Sequence, residues 1–145
     1  MRRFSRMLVM GFARRRHVAL SGALSTSWAL YSTSGKVKVY VKTQDGTLCD
    51  FEAPAGISLM HALRDVAKLE MDGACDGCMQ CSTCHVHLSE ASFQKLRKPS
   101  EQEEDTLGKA LDLTDTSRLA CQITLSPEMH DIEVALPKNV RNLLM

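Results

Sequence analysis

Residues 75–85 read CDGCMQCSTCH, and four of the chain's six cysteines, Cys75, Cys78, Cys81 and Cys84, recur there at every third position. So regular a spacing satisfies several motifs at once, and each has to be weighed on its chemistry. Cys81 and Cys84 followed by His85 fit the C-x-x-C-H attachment site for c-type haem. A haem would leave Cys75, Cys78 and Cys121 without a role and would need an apolar envelope that this sequence hardly offers. The four-fold run also approaches the bacterial [4Fe–4S] pattern. That pattern places three residues before its last Cys and a Pro after it, whereas here the gap is two and His85 follows. A zinc site is open too, because C-x2-C is generic.

The best fit takes Cys75-x5-Cys81-x2-Cys84 and adds Cys121 after a long gap. This is the C-x4-C-x2-C…C pattern of two-iron clusters with one residue more in its first gap. Two ferric ions bridged by two sulfides require four thiolates. A curled loop can supply three, and a fourth from a separate segment closes the cage. Gly73, Ala74 and Gly77 leave room for backbone amides to approach the sulfurs, where N–H···S bonds tune the potential. Disulfides are the competing use for six cysteines in a short chain. The Arg-rich, acid-free start of the chain argues for a reducing compartment, where clustered cysteines serve metals more often.

Charge is distributed unevenly around this loop. All 17 acidic residues lie at or after Asp45, whereas Arg2, Arg3, Arg6, Arg14, Arg15 and Arg16 crowd the start. Residues 1–34 carry no acid, and hydroxyls cluster at Ser21, Ser25, Thr26, Ser27, Ser32, Thr33 and Ser34. That is the composition of a cleaved mitochondrial transit peptide, with a disordered basic arm as the bland alternative. Arg14–Arg16 interrupt the apolar centre a secretory signal needs, and no apolar run has the ~18 residues of a membrane span. Cleavage is expected between Tyr31 and Lys36. Residues 35–145 then form one domain with 12 basic and 17 acidic groups, a balance of −5. An acidic body argues against nucleic acid and anionic membrane as partners and for a basic protein surface.

Outside the loop, Val37, Val39 and Val41 alternate with polar residues as a half-exposed strand does. Asp45-Gly46 is a hairpin turn signal, with Thr47 to Phe51 returning. Pro54 and Gly56 break the sheet. Ser58 is an N-cap for a helix through about Glu70 that places Leu59, Leu63, Val66 and Leu69 on one face. Val86 and Leu88 mark a short strand. Ser100, with Glu103 three residues on, forms a capping box, and Glu101, Glu103, Glu104 and Asp105 suit the positive end of that helix. Leu119 to Leu125 and Ile132 to Leu136 read as late strands. The fold class is α+β.

Cys75-Asp76-Gly77 with Cys81-Ser82-Thr83-Cys84-His85, followed by Leu113-Thr114-Asp115 and Ser117-Arg118-Leu119-Ala120-Cys121-Gln122-Ile123, resembles the adrenodoxin-type mitochondrial [2Fe–2S] ferredoxins over residues 36–141. The resemblance implies a β-grasp fold with a long cluster-binding loop, and a monomeric one-electron carrier rather than an enzyme, located in the mitochondrial matrix. It implies one [2Fe–2S] cluster on Cys75, Cys81, Cys84 and Cys121, with His85 as structural support between the loop and an interaction segment. A flavoprotein ferredoxin reductase, itself reduced by NADPH, is the implied donor, docking on Glu101, Glu103, Glu104, Asp105 and Asp112. Leu136-Pro137-Lys138 with Arg141-Asn142 looks like the tail of ferredoxins that feed iron–sulfur cluster assembly and haem A synthesis. Supply to mitochondrial cytochrome P450 is the alternative. The pattern departs from its relatives at Gly108, where a second docking acid is common, and at Cys78, an extra thiol expected to be no ligand. Cys49 is expected to be structural.

Overall fold

The structure, a computed structural model, describes residues 35–129 and 131–142. The expected leader therefore lies outside the described residues. β1 (Lys36–Lys42) turns its valines inward, with Val37, Val39 and Val41 fully buried. Its lysines face out, where Lys36 pairs with Glu52 and Lys38 with Asp50 on β2 (Leu48–Pro54). Between them the Asp45 carboxylate accepts from the Thr43 and Thr47 hydroxyls, and Gly46 takes a φ of 90° that closes the turn. β2 continues past Phe51 to Pro54, which an edge strand tolerates because the missing N–H faces no neighbour.

The sheet runs in the order β2-β1-β5-β3-β4, with β3 spanning His85–Leu88, β4 Ser117–Leu119 and β5 Ile132–Ala135. β5 lies parallel to β1 and the other pairs are antiparallel. One helix crosses the sheet and buries Leu59, Met60, Ala62 and Leu63 in the common core with Val86, Leu119 and Ile132. Among the described residues no helix is long and apolar enough to cross a membrane.

Three expectations need correction. The first helix begins as read, with Ser58 Oγ accepting from His61 N, but α1 proper is only Leu59–His61 and widens into a π turn at Ala62–Val66. The longer hydrogen-bonded ring, Ala67 N to Ala62 O, shifts the phase of the helix, so that Val66 is 44% exposed instead of facing the core. The alternation Leu119-Cys121-Ile123-Leu125 is not one strand. β4 stops at Leu119, Ala120–Gln122 coils as a 3-10 turn, and Thr124 makes only an isolated bridge to Ser58. A short helix, α2 (Glu90–Gln94), capped by Ser89, was not anticipated.

The third correction concerns Glu103. In α3 (Glu101–Leu107) Ser100 Oγ accepts from Glu103 N as a cap should. The Glu103 carboxylate does not return to the cap. It is 2% exposed and accepts two bonds from Arg118, at 2.8 and 3.1 Å, and one from Leu119 N at 3.0 Å. Arg118 also donates to the Arg97 carbonyl at 2.7 Å. Glu103 is thus a buried strut between α3 and β4 and leaves the set of surface docking acids. Truncating one member of a buried ion pair strands the other charge, at a cost of about 3–5 kcal/mol. Glu103→Ala is therefore expected to lower the urea midpoint of the cluster-loaded protein sharply, whereas Glu101→Ala on the same helix changes stability by less than about 0.5 kcal/mol. Equal midpoints for the two variants contradict this reading of the strut.

Candidate metal centre

The segment between the π turn and β3 coils tightly because several residues adopt left-handed backbone angles. Asp76 (φ 48°), Gly77 (φ 101°), Met79 (φ 56°) and Ser82 (φ 54°) do so within seven positions. Gly73 (φ 53°) must lack a side chain for a second reason, since a Cβ there would lie 2.7 Å from Met60 Sδ. The coil is held from inside by Ala74 N donating to Thr83 Oγ1. From outside, Thr106 of α3 donates to Met79 O, and Arg64 and His61 reach Asp76.

The thiols of this coil act on one another chiefly in two pairs, Cys75 with Cys81 and Cys84 with Cys121, while Cys81 also acts on Cys84 and Cys75 on Cys121. Cys121 reaches the loop because the turn at Ala120–Gln122 lifts it out of the sheet, anchored by Ala120 N on Cys84 O at 2.9 Å. Burial raises the Cys75 thiol, but backbone N–H groups of Gln80, Cys81 and Gly77, with the Cys81 thiol, outweigh it and bring it down to about 7. The Cys84 thiol bonded to Cys121 brings Cys121 down to about 7, with burial opposing and Gln122 assisting. Its partner Cys84 is pushed up by the Cys121 sulfur and by burial. Thr83 Oγ1 sits 3.0 Å from Cys81 Sγ. Since that oxygen already accepts from Ala74 N, its own O–H is free for the sulfur.

Donors aimed at sulfur suit an anionic iron–sulfur group, and the two-and-two arrangement suits two metals. Among the described residues no three His, Cys, Asp or Glu side chains gather tightly enough for a single metal ion. A mononuclear zinc site needs its four donors around one point. Of the remaining thiols, Cys78 is exposed and Cys49 is half-buried on β2.

The residue range 42–126 matches the family model of the 2Fe-2S iron–sulfur cluster binding domain. The chain belongs to the [2Fe–2S] ferredoxin family. A 2Fe-2S ferredoxin of Rickettsia felis is 47% identical over 110 residues, covering 76% of this chain and 97% of the relative. Adrenodoxin-like protein 2, mitochondrial, of Arabidopsis thaliana is 35% identical over 81% of this chain and 62% of its own length. The putidaredoxin of the covalent putidaredoxin reductase–putidaredoxin complex superposes with a TM-score of 0.67 at 35% identity, covering 70% and 99% of the two chains. This ferredoxin is therefore a β-grasp electron carrier, not an enzyme, with one [2Fe–2S] cluster. The haem, zinc and four-iron readings of the loop fall away.

Around the centre, Glu101, Glu104 and Asp105 are exposed on α3 while Glu103 is not. Asp112 is exposed, its carboxylate accepts from the Asn139 backbone and side-chain N–H groups, and its carbonyl lies 2.7 Å from His87 Nε2. His85 is buried, with Nε2 2.8 Å from Ser117 Oγ at the start of β4. Burial first, and His87 second, bring His85 down to about 4. Sequence reasoning missed Thr83 and Gln122, whose bonds to cysteine sulfur have no pattern signal beyond adjacency to a Cys.

The pairing makes a sharp expectation for the six thiols. Serine at position 75, 81, 84 or 121 is expected to abolish or grossly weaken the two-iron visible absorption, while Cys49→Ser and Cys78→Ser retain it. Loss of colour in Cys78→Ser, or a normal spectrum in Cys84→Ser, contradicts the two-and-two arrangement.

Proposed function

We propose that this ferredoxin works in the mitochondrial matrix, taking electrons one at a time from an NADPH-reduced flavoprotein ferredoxin reductase. Cys75, Cys81, Cys84 and Cys121 would hold the cluster. The observation that carries the ligand assignment is the mutual influence of these four thiols, with backbone and hydroxyl donors around them, while Cys78 is exposed and Cys49 lies on β2. The cluster supplies a single electron-accepting orbital set whose charge passes from −2 to −3. The chain's own groups keep it near the surface and bond its thiolates.

The matrix assignment draws on the acid-free, Arg-rich residues 1–34, read as a cleaved transit peptide, and on likeness to a mitochondrial adrenodoxin-like protein. The reductase draws on the acidic body and on likeness to putidaredoxin, which is known in a complex with its own reductase. For the acceptor, the tail Leu136-Pro137-Lys138 with Arg141-Asn142 favours iron–sulfur cluster assembly. Glu101, Glu104, Asp105 and Asp112 form the docking acids, and Glu103 supports them from below.

Attraction between such exposed charges is screened over about 8 Å at physiological salt, so it speeds encounter without locking the complex. Reversing Glu104 and Asp105 to Lys should weaken association with the reductase by about tenfold, each rim charge being worth about 1 kcal/mol or less. Stopped-flow reduction at several salt concentrations reads this directly. The reversed protein is expected to keep its visible spectrum, to be reduced more slowly, and to lose most of its salt dependence. Reduction at the wild-type rate with the same salt dependence makes the α3 acids a merely solvated face.

A further inference from the structure

The side chain of Gln122 joins the two halves of the centre. It belongs to the 3-10 turn Ala120–Gln122 that delivers Cys121. Its amide nitrogen lies 3.1 Å from the Gly77 carbonyl, in the cluster loop, and 3.3 Å from Cys121 Sγ. A primary amide nitrogen carries two hydrogens, so both contacts are satisfied at once. Which end of the amide faces the loop is normally an assignment rather than an observation. Here chemistry fixes it, because the Gly77 carbonyl can only accept, so the nitrogen and not the oxygen faces the loop and, with it, the sulfur. The Gly77 backbone N–H is also among the groups that lower the Cys75 thiol. The amide thus ties the loop at Gly77 to the segment that carries Cys121 while donating to the Cys121 sulfur.

We propose that Gln122 is a positioning residue of this ferredoxin that clasps the cluster loop to the Cys121 segment and raises the reduction potential by donating to Cys121 Sγ. The proposal rests on Cys121 being a ligand. Reduction adds one electron to the cluster and no atom moves between groups, so the state that gains most from an N–H···S donor is the more negative, reduced one. Removing the donor therefore makes reduction harder. A residue that only packed the turn would change stability and leave the potential alone.

Gln122→Met keeps the length of the side chain and removes both hydrogens. Its redox titration, visible spectrum and thermal melting are to be measured beside the wild type. The expected protein keeps the two-iron spectrum, and at the potential that half-reduces the wild type its reduced-to-oxidised ratio is about tenfold lower, a fall of 59 mV for one electron. Gln122→Asn, with its amide one methylene short of spanning both partners, is expected to fall in the same direction, and it decides the matter should the Met variant fail to load its cluster. A lowered melting temperature with the wild-type potential overturns the proposal, as does a raised potential. Cys121→Ser separates the two readings: a normal two-iron spectrum in that variant sinks the ligand assignment itself, whereas an unchanged potential in Gln122→Met with Cys121 required sinks only the role of Gln122.

Discussion

Three of the four thiols proposed to hold the cluster come from one coil, and the fourth stands on a separate segment that has to be held against it. The contacts of α3 serve that closure. The Glu103–Arg118 pair ties α3 to β4 immediately ahead of Cys121, and the same carboxylate accepts from Leu119 N, two residues before the thiol. α3 in turn holds the loop through Thr106 on Met79 O. One short helix therefore grips both the segment that brings the fourth cysteine and the coil that carries the other three. A buried ion pair is a costly way to gain stability, and its replacement by apolar residues is often neutral. Its planar, bidentate geometry fixes register between two elements, which apolar packing does more loosely.

The electrostatics of the site follow from what it must hold. A cluster of net charge −2 that becomes −3 sits in a body that is itself acidic, so the stabilising groups have to be local. On the proposed ligand set they would be backbone N–H groups of Gly77, Gln80 and Cys81 at Cys75, the Thr83 hydroxyl at Cys81, and the Gln122 amide at Cys121. Each is neutral and donates a hydrogen. Such dipoles favour the reduced state without adding a cation beside the exposed acids of α3. The left-handed angles at Asp76, Gly77, Met79 and Ser82 coil the backbone around the cysteines within seven residues.

Much of the fold was legible because it is written in local rules. The valine alternation of β1, the Asp45-Gly46 turn and the caps at Ser58 and Ser100 all fall where side-chain period and capping chemistry put them. What was not legible depends on tertiary demands. Leu119 to Leu125 alternates like a strand, yet the chain leaves the sheet at Ala120 and Cys121 stands in the 3-10 turn that follows. Val66 keeps helical spacing with Leu59 and Leu63, yet a single widened turn rotates it outward. Glu103 has the sequence of a surface acid among surface acids, and only the arrival of Arg118 from β4 buries it. The cysteine spacing named the chemistry, while the donors around the sulfurs came from side chains that look ordinary in sequence.

The central claim is that four thiols, paired two and two, hold two irons and two sulfides. It is tested most directly in a chain carrying Cys49→Ser and Cys78→Ser together, which retains only Cys75, Cys81, Cys84 and Cys121. Iron and acid-labile sulfide are to be assayed per chain, with a reductive titration of the same sample. The account predicts two irons, two sulfides and uptake of one electron per chain. A single metal without sulfide, or a protein that takes up no cluster once those two thiols are gone, contradicts it.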